Sequence, residues 1–409
     1  MMGRGKPPTK GMNDLNMLNM LTTEVKRNPY PMYQSMRQSQ PVLYLEPLNV
    51  WCVFRYEDVR TVLSDHARFS SQYGGPDKTN MNDADRVPSL LNTDPPRHGQ
   101  LRSLVSRAFT PRTVEQLEPR IQAIADELLD KVTASGRMDL VKDFAYPLPV
   151  IIIAELLGIP SEDRDRFKHW SDEIVASSDQ LLGGSDAQSG RVQTEMDDYF
   201  REIIAKRRAD PQDDLISALL AAEENNEQLS EADILSFCWL LLVAGNETTT
   251  NLIGNAVLTL LEHPDQLAEL QSNLNLLPSA IEEVLRYRSP VQAMFRTASQ
   301  DVNIGGQTIA AGSTVIAWIG SANRDEEKFS DAERFDMTRN PNPHIAFGHG
   351  IHFCLGAPLA RLEAKIALSA VLRRFTGLAR IDDQPLEPAR GLIVHGVTSL
   401  PLQFAHSLQ

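Results

Sequence analysis

The sequence predicts a mostly helical protein with a minority of strand, an α+β fold organised around one very long helix. Apolar residues recur with a period near 3.6 in segment after segment from residue 97 to residue 222, the signature of amphipathic helices. Residues 231–262 continue that pattern without a proline, bounded by Ser230 and Pro264. Runs rich in β-branched and aromatic residues are few and short.

Each element follows in chain order. Residues 1–20, basic at MMGRGKPPTKG and then alternating Asn with Leu and Met, read as a flexible extension ahead of a single domain over 21–409. No apolar core of a signal peptide follows the basic residues. Pro41–Leu45 and Val50–Arg55 flank Glu46-Pro47-Leu48-Asn49, the pattern of a hairpin. Glu57–Leu63 reads as a short helix. Ser70–Pro96 carries several Gly and Pro and few apolar residues, which marks a functional loop. Arg97–Phe109, Val114–Thr133, Val150–Leu157, Glu162–Ala176, Val192–Ala209 and Asp213–Ala222 read as helices, with Ser177–Gly190 as a mobile lid. Ser230-x-x-Asp233 opens the long helix as a capping box. At 1.5 Å per residue this helix is about 48 Å long, so it must be buried along most of its length. Ser279-x-x-Glu282 begins another helix, stopped by Pro290. Strands follow near Val302–Ile304 and Thr314–Ile319. A Gly- and His-rich loop at 344–356 leads into a helix over Pro358–Phe375, and Gly391–Phe404 reads as loop and strand.

Composition narrows the function classes. The 409 residues include 40 Lys+Arg and 54 Asp+Glu, a net charge of −14, which argues against general nucleic-acid binding. The 3 cysteines, Cys52, Cys238 and Cys354, have no C-x-x-C spacing, so neither a disulfide framework nor a Cys-rich zinc site is expected. The longest apolar stretches fall short of the roughly 18–20 residues a membrane span needs. A soluble cytoplasmic protein is expected, monomeric by default.

The segment Phe347-Gly-His-Gly-Ile-His-Phe-Cys354-Leu-Gly356 carries the most chemistry. It sets one cysteine just before a helix N-terminus, among glycines that let backbone N–H groups approach the sulfur. That setting favours a thiolate, as nucleophile or metal ligand, although a free core cysteine in an ordinary turn fits the same residues. His344, His349 and His352 precede it too tightly to close a tetrahedral zinc site around one ion.

The string Phe-x-x-Gly-x-x-x-Cys-x-Gly resembles the haem-ligand loop of the cytochrome P450 family, with a chance frequency of about 3 in 10,000 for this composition. Ala244-Gly-Asn-Glu247-Thr248-Thr249 resembles the family's oxygen-activation signature. Glu283-Val-Leu-Arg286 resembles its Glu-x-x-Arg pair, and Asp94-Pro-Pro-Arg-His98-Gly-Gln-Leu-Arg102 resembles the haem-propionate segment of bacterial members. The motifs fall in the family's order across residues 94–356, and the resemblance extends over the chain after about residue 20.

The resemblance implies the cytochrome P450 fold, with the long central helix over a haem and small β-sheets at the N-terminal and C-terminal sides. It implies haem b held by Cys354 as axial thiolate, which pushes electron density onto iron. Phe347 would lie on the sulfur side, and Gly356 and Ala244 would border the cofactor. His98, Arg102, Arg296 and His352 would bind the propionates. Glu247 and Thr248 would deliver protons, an acid and an alcohol at adjacent positions. Ala244, Gly245 and Thr248 would share one face with room for a flat cofactor. Glu283 and Arg286 would form a buried structural pair, with Arg334 as its third member although Ala332 stands where the family has Pro. The pocket would use Leu90, Leu91, Leu240, Val243, Ala244, Val291, Ala293, Met294, Phe295, Leu392, Ile393 and Val394, mostly aliphatic and suited to an apolar substrate. Arg361 and Lys365, with Arg102, Arg107 and Arg112, would present a basic face to an acidic ferredoxin-like donor.

The expected function is that of a bacterial-type haem-thiolate monooxygenase. It would insert one oxygen atom from O2 into a steroid, terpenoid or fatty-acyl substrate by hydroxylation or epoxidation. Electrons would come from a separate ferredoxin and reductase, because the chain leaves no room for a fused reductase. A peroxide-driven peroxygenase and a haem-based ligand sensor or carrier are the alternatives; the Glu247-Thr248 pair argues against both.

Overall fold

The computed structural model describes residues 22–406 except 73–88, 107–108, 164, 168, 171–172, 174–186, 225–228 and 392. The expected extension at 1–20, the tip of the 70–96 loop, most of the 177–190 lid, Arg107 and Leu392 lie outside the described residues. The principal helices are α1 (Tyr30–Ser39), α2 (Tyr56–Ser64), α3 (Arg97–Ser106), α4 (Glu118–Thr133), α5 (Pro147–Leu156), α6 (Ala187–Ala209), α7 (Leu215–Glu224), α8 (Glu231–Glu262), α9 (Leu277–Tyr287) and α10 (Ala357–Arg374).

The strands are β1 (Val42–Leu45), β2 (Val50–Val53), β3 (Phe69–Ser70), β4 (Arg137–Asp139), β5 (Met294–Ala298), β6 (Val302–Ile304), β7 (Gln307–Ile309), β8 (Thr314–Ala317), β9 (Phe375–Arg380) and β10 (Pro401–His406). A 5-stranded sheet runs β1-β2-β8-β5-β3, a 3-stranded sheet runs β4-β10-β9, and β6 pairs β7. The expected hairpin is present, with Val42 opposite Val53. The larger sheet separates two apolar clusters by simple strand alternation. β2 gives Val53 to one face and Cys52 to the other; β8 gives Val315 and Ala317 to the first and Ile316 to the second.

The long helix α8 spans Glu231–Glu262 as expected, and its capping box is formed by Ser230 and Asp233. Arg97 Nη2 reaches Asp233 Oδ2 at 2.6 Å and so joins the start of α3 to the start of α8. From Thr249 to Leu260 every residue of α8 is buried. Gly245 also has a packing role: a Cβ there would lie 2.6 Å from Ile153 Cδ1 of α5. It permits the close packing of two helices.

Two expectations at α9 are corrected. The helix begins at Leu277, with Pro278 in its first turn, where a missing N–H leaves no orphan donor. Ser279 lies inside it and donates Oγ to Leu276 O at 3.0 Å, so it is no cap. Glu283 and Arg286 do form a buried pair, each 0% exposed, with Nη2–Oε1 at 2.7 Å and Nε–Oε2 at 2.8 Å. The third member is Arg339, not Arg334. Arg339 Nε donates to Glu283 Oε1 at 3.2 Å. Arg334 is exposed and contributes its carbonyl, which accepts from Arg286 Nη2 at 2.9 Å. Arg286 also donates to Asn323 O and Ala332 O, so the pair gathers the whole 323–339 segment.

Removing one partner of a buried pair leaves an uncompensated charge, so Arg286→Met is expected to cost about 3–5 kcal/mol. Arg339→Ala should cost less, because Arg286 still pairs Glu283, and Arg334→Ala should stay within about 0.5 kcal/mol. Denaturant midpoints of the three variants check this ranking; an Arg334→Ala loss equal to that of Arg339→Ala would contradict the assignment.

Candidate active site

The loop before α10 is shaped by backbone constraints. Gly350 has φ +74, and a Cβ there would lie 2.8 Å from Ser64 Cα at the end of α2, so no other residue fits without displacement. The loop closes where Cys354 N–H donates to Phe347 O at 2.9 Å. Gly356 is the N-cap of α10, and the N–H groups of Gly356 and Ala357 point at the Cys354 sulfur.

Cys354 is reachable by solvent yet closely surrounded by protein. Burial pushes its thiol above the ordinary range, and this outweighs the Gly356 and Ala357 N–H groups and the guanidinium charges of Arg102 and Arg361. The helix start alone therefore does not lower the pKa, contrary to the sequence expectation. Without a cation the sulfur stays a thiol, a poor nucleophile; with a metal ion the donors around it favour the thiolate. The arrangement suits a metal ligand.

His98, Arg102, Arg296 and His352 converge, although they come from α3, β5 and the Cys loop. The His98 and His352 rings lie 4.2 Å apart. Burial first, then the neighbouring charges of Arg296 and His98, hold the His352 imidazole down to about 3. Burial and Arg102 lower His98 as well. Arg296 is buried on β5 of the five-stranded sheet, opposite Val315 of β8. His98 Nε2 is buried with no hydrogen-bond partner among the described residues. A cluster with two guanidinium groups and an unpartnered imidazole nitrogen matches a group that carries carboxylates.

Sequence reasoning missed two members of this cluster. Ser71 Oγ lies 2.8 Å from His352 Nε2, and Asp94 accepts from the Ser71 N–H at 2.9 Å. Asp94 stands in the quoted motif, but only the fold brings Ser71 to it.

The middle of α8, residues 239–248, is only partly buried. Leu240, Val243, Ala244, Glu247 and Thr248 share one arc and are half-buried or exposed, whereas Leu242 and Asn246 are fully buried. Ala244 is exposed in the middle of the most buried helix. Thr248 Oγ1 donates to Ala244 O at 2.7 Å, the back-bond that bends helices. The turn Leu90–Asn92 packs against α8 and α3, with Leu90 buried and Leu91 exposed. Val291 and Val394 form a bridge, and Gln292 N donates to Ile393 O at 2.7 Å, so the two predicted pocket segments do meet. Met294 and Phe295 are half-buried beside them. Ala293 is the exception: it is 0% exposed, packed with Tyr33, Phe54 and Trp318, and belongs to the core rather than to the pocket wall.

Glu363 on α10 escaped the sequence reading. It is 2% exposed, bonded to Thr249 immediately after Thr248, and its Oε1 has no partner among the described residues. A glutamate amid Ala364, Ile366, Ala367 and Leu368 was the signal available.

The family model for cytochrome P450 matches residues 7–404. Cytochrome P450 109 of Bacillus spizizenii is 46% identical over 380 residues, covering 92% of this chain and 91% of that protein. The crystal structure of CYP109E1 from Bacillus megaterium in complex with testosterone has a TM-score of 0.86 at 42% identity, covering 93% of this chain and 99% of that one. P450BioI, solved with hexadec-9Z-enoic acid ligated acyl carrier protein, has a TM-score of 0.86 at 40% identity, with coverage of 93% and 99%. The chain belongs to the cytochrome P450 family and is a monooxygenase, a haem-iron oxidoreductase with the cytochrome P450 fold. No helix among the described residues is long and apolar enough to cross a membrane. The thiol ringed by N–H donors, the cation cluster and the orphaned His98 Nε2 fit the haem that this family uses.

Burial pushes the Glu363 carboxyl up to about 8. Its folded pKa is raised, so its contribution to stability is present below its unfolded value of 4.5 and is lost as pH rises towards 8. Across pH 5–8 the wild type should lose up to roughly 1.4 kcal/mol per pH unit from this group, and Glu363→Gln should flatten that slope. Unfolding curves at several pH values test this, and parallel slopes would rule out a protonated Glu363.

Proposed function

We propose that this protein is a haem b monooxygenase with Cys354 as the axial ligand, acting on an apolar small molecule. The observation that carries the reading is the partly exposed middle of α8, where Leu240, Val243 and Ala244 lie beside Glu247 and Thr248 on one side of the helix. An apolar surface that ends on an acid and an alcohol can hold a hydrocarbon while supplying protons.

His98, Arg102, Arg296 and His352 bind the haem propionates, and the Gly356 and Ala357 N–H groups support the thiolate. When bound, the haem supplies oxygen activation. Thr248 keeps its hydroxyl fixed through Ala244 O, and Glu247 passes protons to it from solvent. Leu90, Leu91, Met294, Phe295, Ile393 and Val394 exclude water and orient the substrate. One oxygen atom enters a C–H or C=C bond and the other leaves as water.

The substrate is a steroid, terpenoid or fatty-acyl compound. The aliphatic lining supports this class, as do the testosterone and the hexadec-9Z-enoic acid in the related structures. Electrons come from a separate acidic ferredoxin and its reductase. Arg112, on the short helix packed against α10, and Lys365 on α10 are exposed and offer the complementary charge. The protein acts in the cytoplasm.

Cys354→Ser should abolish the long-wavelength band of the reduced carbon-monoxide complex; a persisting band would refute the ligand assignment. Thr248→Ala should continue to consume oxygen while product per oxygen falls by about 100-fold and peroxide accumulates. Unchanged coupling would remove Thr248 from the relay. Spin-state titrations with testosterone, a monoterpene and hexadec-9Z-enoic acid test the substrate class, and no response to any of them would exclude it.

A further inference from the structure

Arg361 is expected from the sequence to be a free cation on a docking face. The structure engages it instead. It lies about one turn into α10, and Glu282 of α9 accepts its Nε at 2.7 Å and its Nη2 at 2.8 Å. That is the two-point fork of a guanidinium on a carboxylate, which fixes orientation as well as distance. His344 Nε2 adds a third contact to Glu282 at 2.9 Å.

The other side of the guanidinium is also used. Its carbon sits 4.5 Å from the centroid of the Phe347 ring, a cation–π contact. The same ring lies 6.3 Å from Phe353 and 6.4 Å from His344. Phe347 is the residue whose carbonyl receives the Cys354 N–H at 2.9 Å. A continuous chain of contacts therefore runs from Glu282 through Arg361 and Phe347 to the backbone of Cys354.

We propose that Glu282 and Arg361 form a clamp that positions the Cys354 loop and sets the charge felt by its sulfur. The inference rests on Cys354 being the haem ligand. Arg361 is one of two guanidinium groups whose charge favours the thiolate, the other being Arg102. Glu282 offsets part of that charge. Burial raises the Glu282 carboxyl, but its bonds to Arg361 and His344 prevail and hold it down to about 2, so it is ionised at every working pH. The two residues thus act on the sulfur with opposite electrostatic sign while sharing one mechanical role: the fork pins the guanidinium, the guanidinium pins the Phe347 ring, and the ring steadies the loop. Both are positioning residues, and neither touches substrate.

Opposite signs give a test that simple loosening of the fold would not reproduce. Purified holoprotein carrying Glu282→Gln, Arg361→Gln or Arg361→Lys is compared with the parent by dye-equilibrated midpoint potential and by the spectrum of the carbon-monoxide complex. Glu282→Gln leaves the Arg361 charge without its counter-charge, so the midpoint should move to more positive values. Arg361→Gln removes the cation, so the midpoint should move to more negative values. Arg361→Lys keeps the charge but loses the fork and the flat stack. Its midpoint should stay near the parent's while more of its carbon-monoxide complex shows the shorter-wavelength band of protein that has lost the thiolate. Shifts of the same sign in the two Gln variants, or no shift in either, would overturn the charge role; an Arg361→Lys spectrum identical to the parent's would overturn the positioning role. If Arg361→Gln does not fold, the positive shift of Glu282→Gln alone decides the charge role. A parent lacking the thiolate band would instead sink the ligand assignment, and the clamp with it.

Discussion

The buried Glu283–Arg286 pair is the constraint on which the rest of the structure depends. A carboxylate and a guanidinium, both with no exposure, are tolerable only when every remaining donor and acceptor is satisfied. The chain meets that demand by bringing in Asn323 O, Ala332 O and Arg334 O for Arg286, and Asp336 N–H, Arg339 and Asn342 for Glu283. Residues 323–342, which carry no long helix or strand, are thereby fixed in place. They run straight into the loop that bears Cys354, so an ion pair far from the chemistry sets where that loop begins.

The long helix does the complementary work on the other side of the site. Its C-terminal half is buried all round, and Gly245 lets α5 approach closely. Between these fixed regions the middle of the helix stays partly exposed, and it holds Glu247 and Thr248. The rigid flanks keep two polar residues at a defined place on an otherwise apolar wall. That is the preorganisation a proton relay needs.

Charge around Cys354 shows why burial and local donors must be weighed together. N–H groups and guanidinium charges favour a thiolate, yet burial prevails in their absence of a bound cation. The same balance appears at His98 and His352, buried imidazoles lowered further by neighbouring guanidinium groups. Both clusters favour an occupant that brings cation to the sulfur and anion to the imidazoles. An iron porphyrin with its propionates carries that pair of charges.

Much of this was legible along the chain. Spacing within a few residues located the capping box of α8, its full extent, the Cys354 loop and the Glu283–Arg286 pair, because caps, helix faces and tight turns depend on near neighbours. The strands β3, β4, β5 and β9 were not legible, since two to six residues acquire strand character only by pairing with distant partners. The same limit explains Arg334, read from the sequence as the third member of the buried pair: the path of residues 323–339 brings Arg339 to Glu283 instead. It explains Arg361, read as a surface cation until α9 placed Glu282 beside it, and Glu363, whose burial depends on how α10 meets α8. The sequence by itself determined the long helix and most of the others, the Cys354 loop and the family. The tertiary structure decided which charges neutralise one another and which face of α8 stays open, because those depend on contacts between segments whose separation no local pattern encodes.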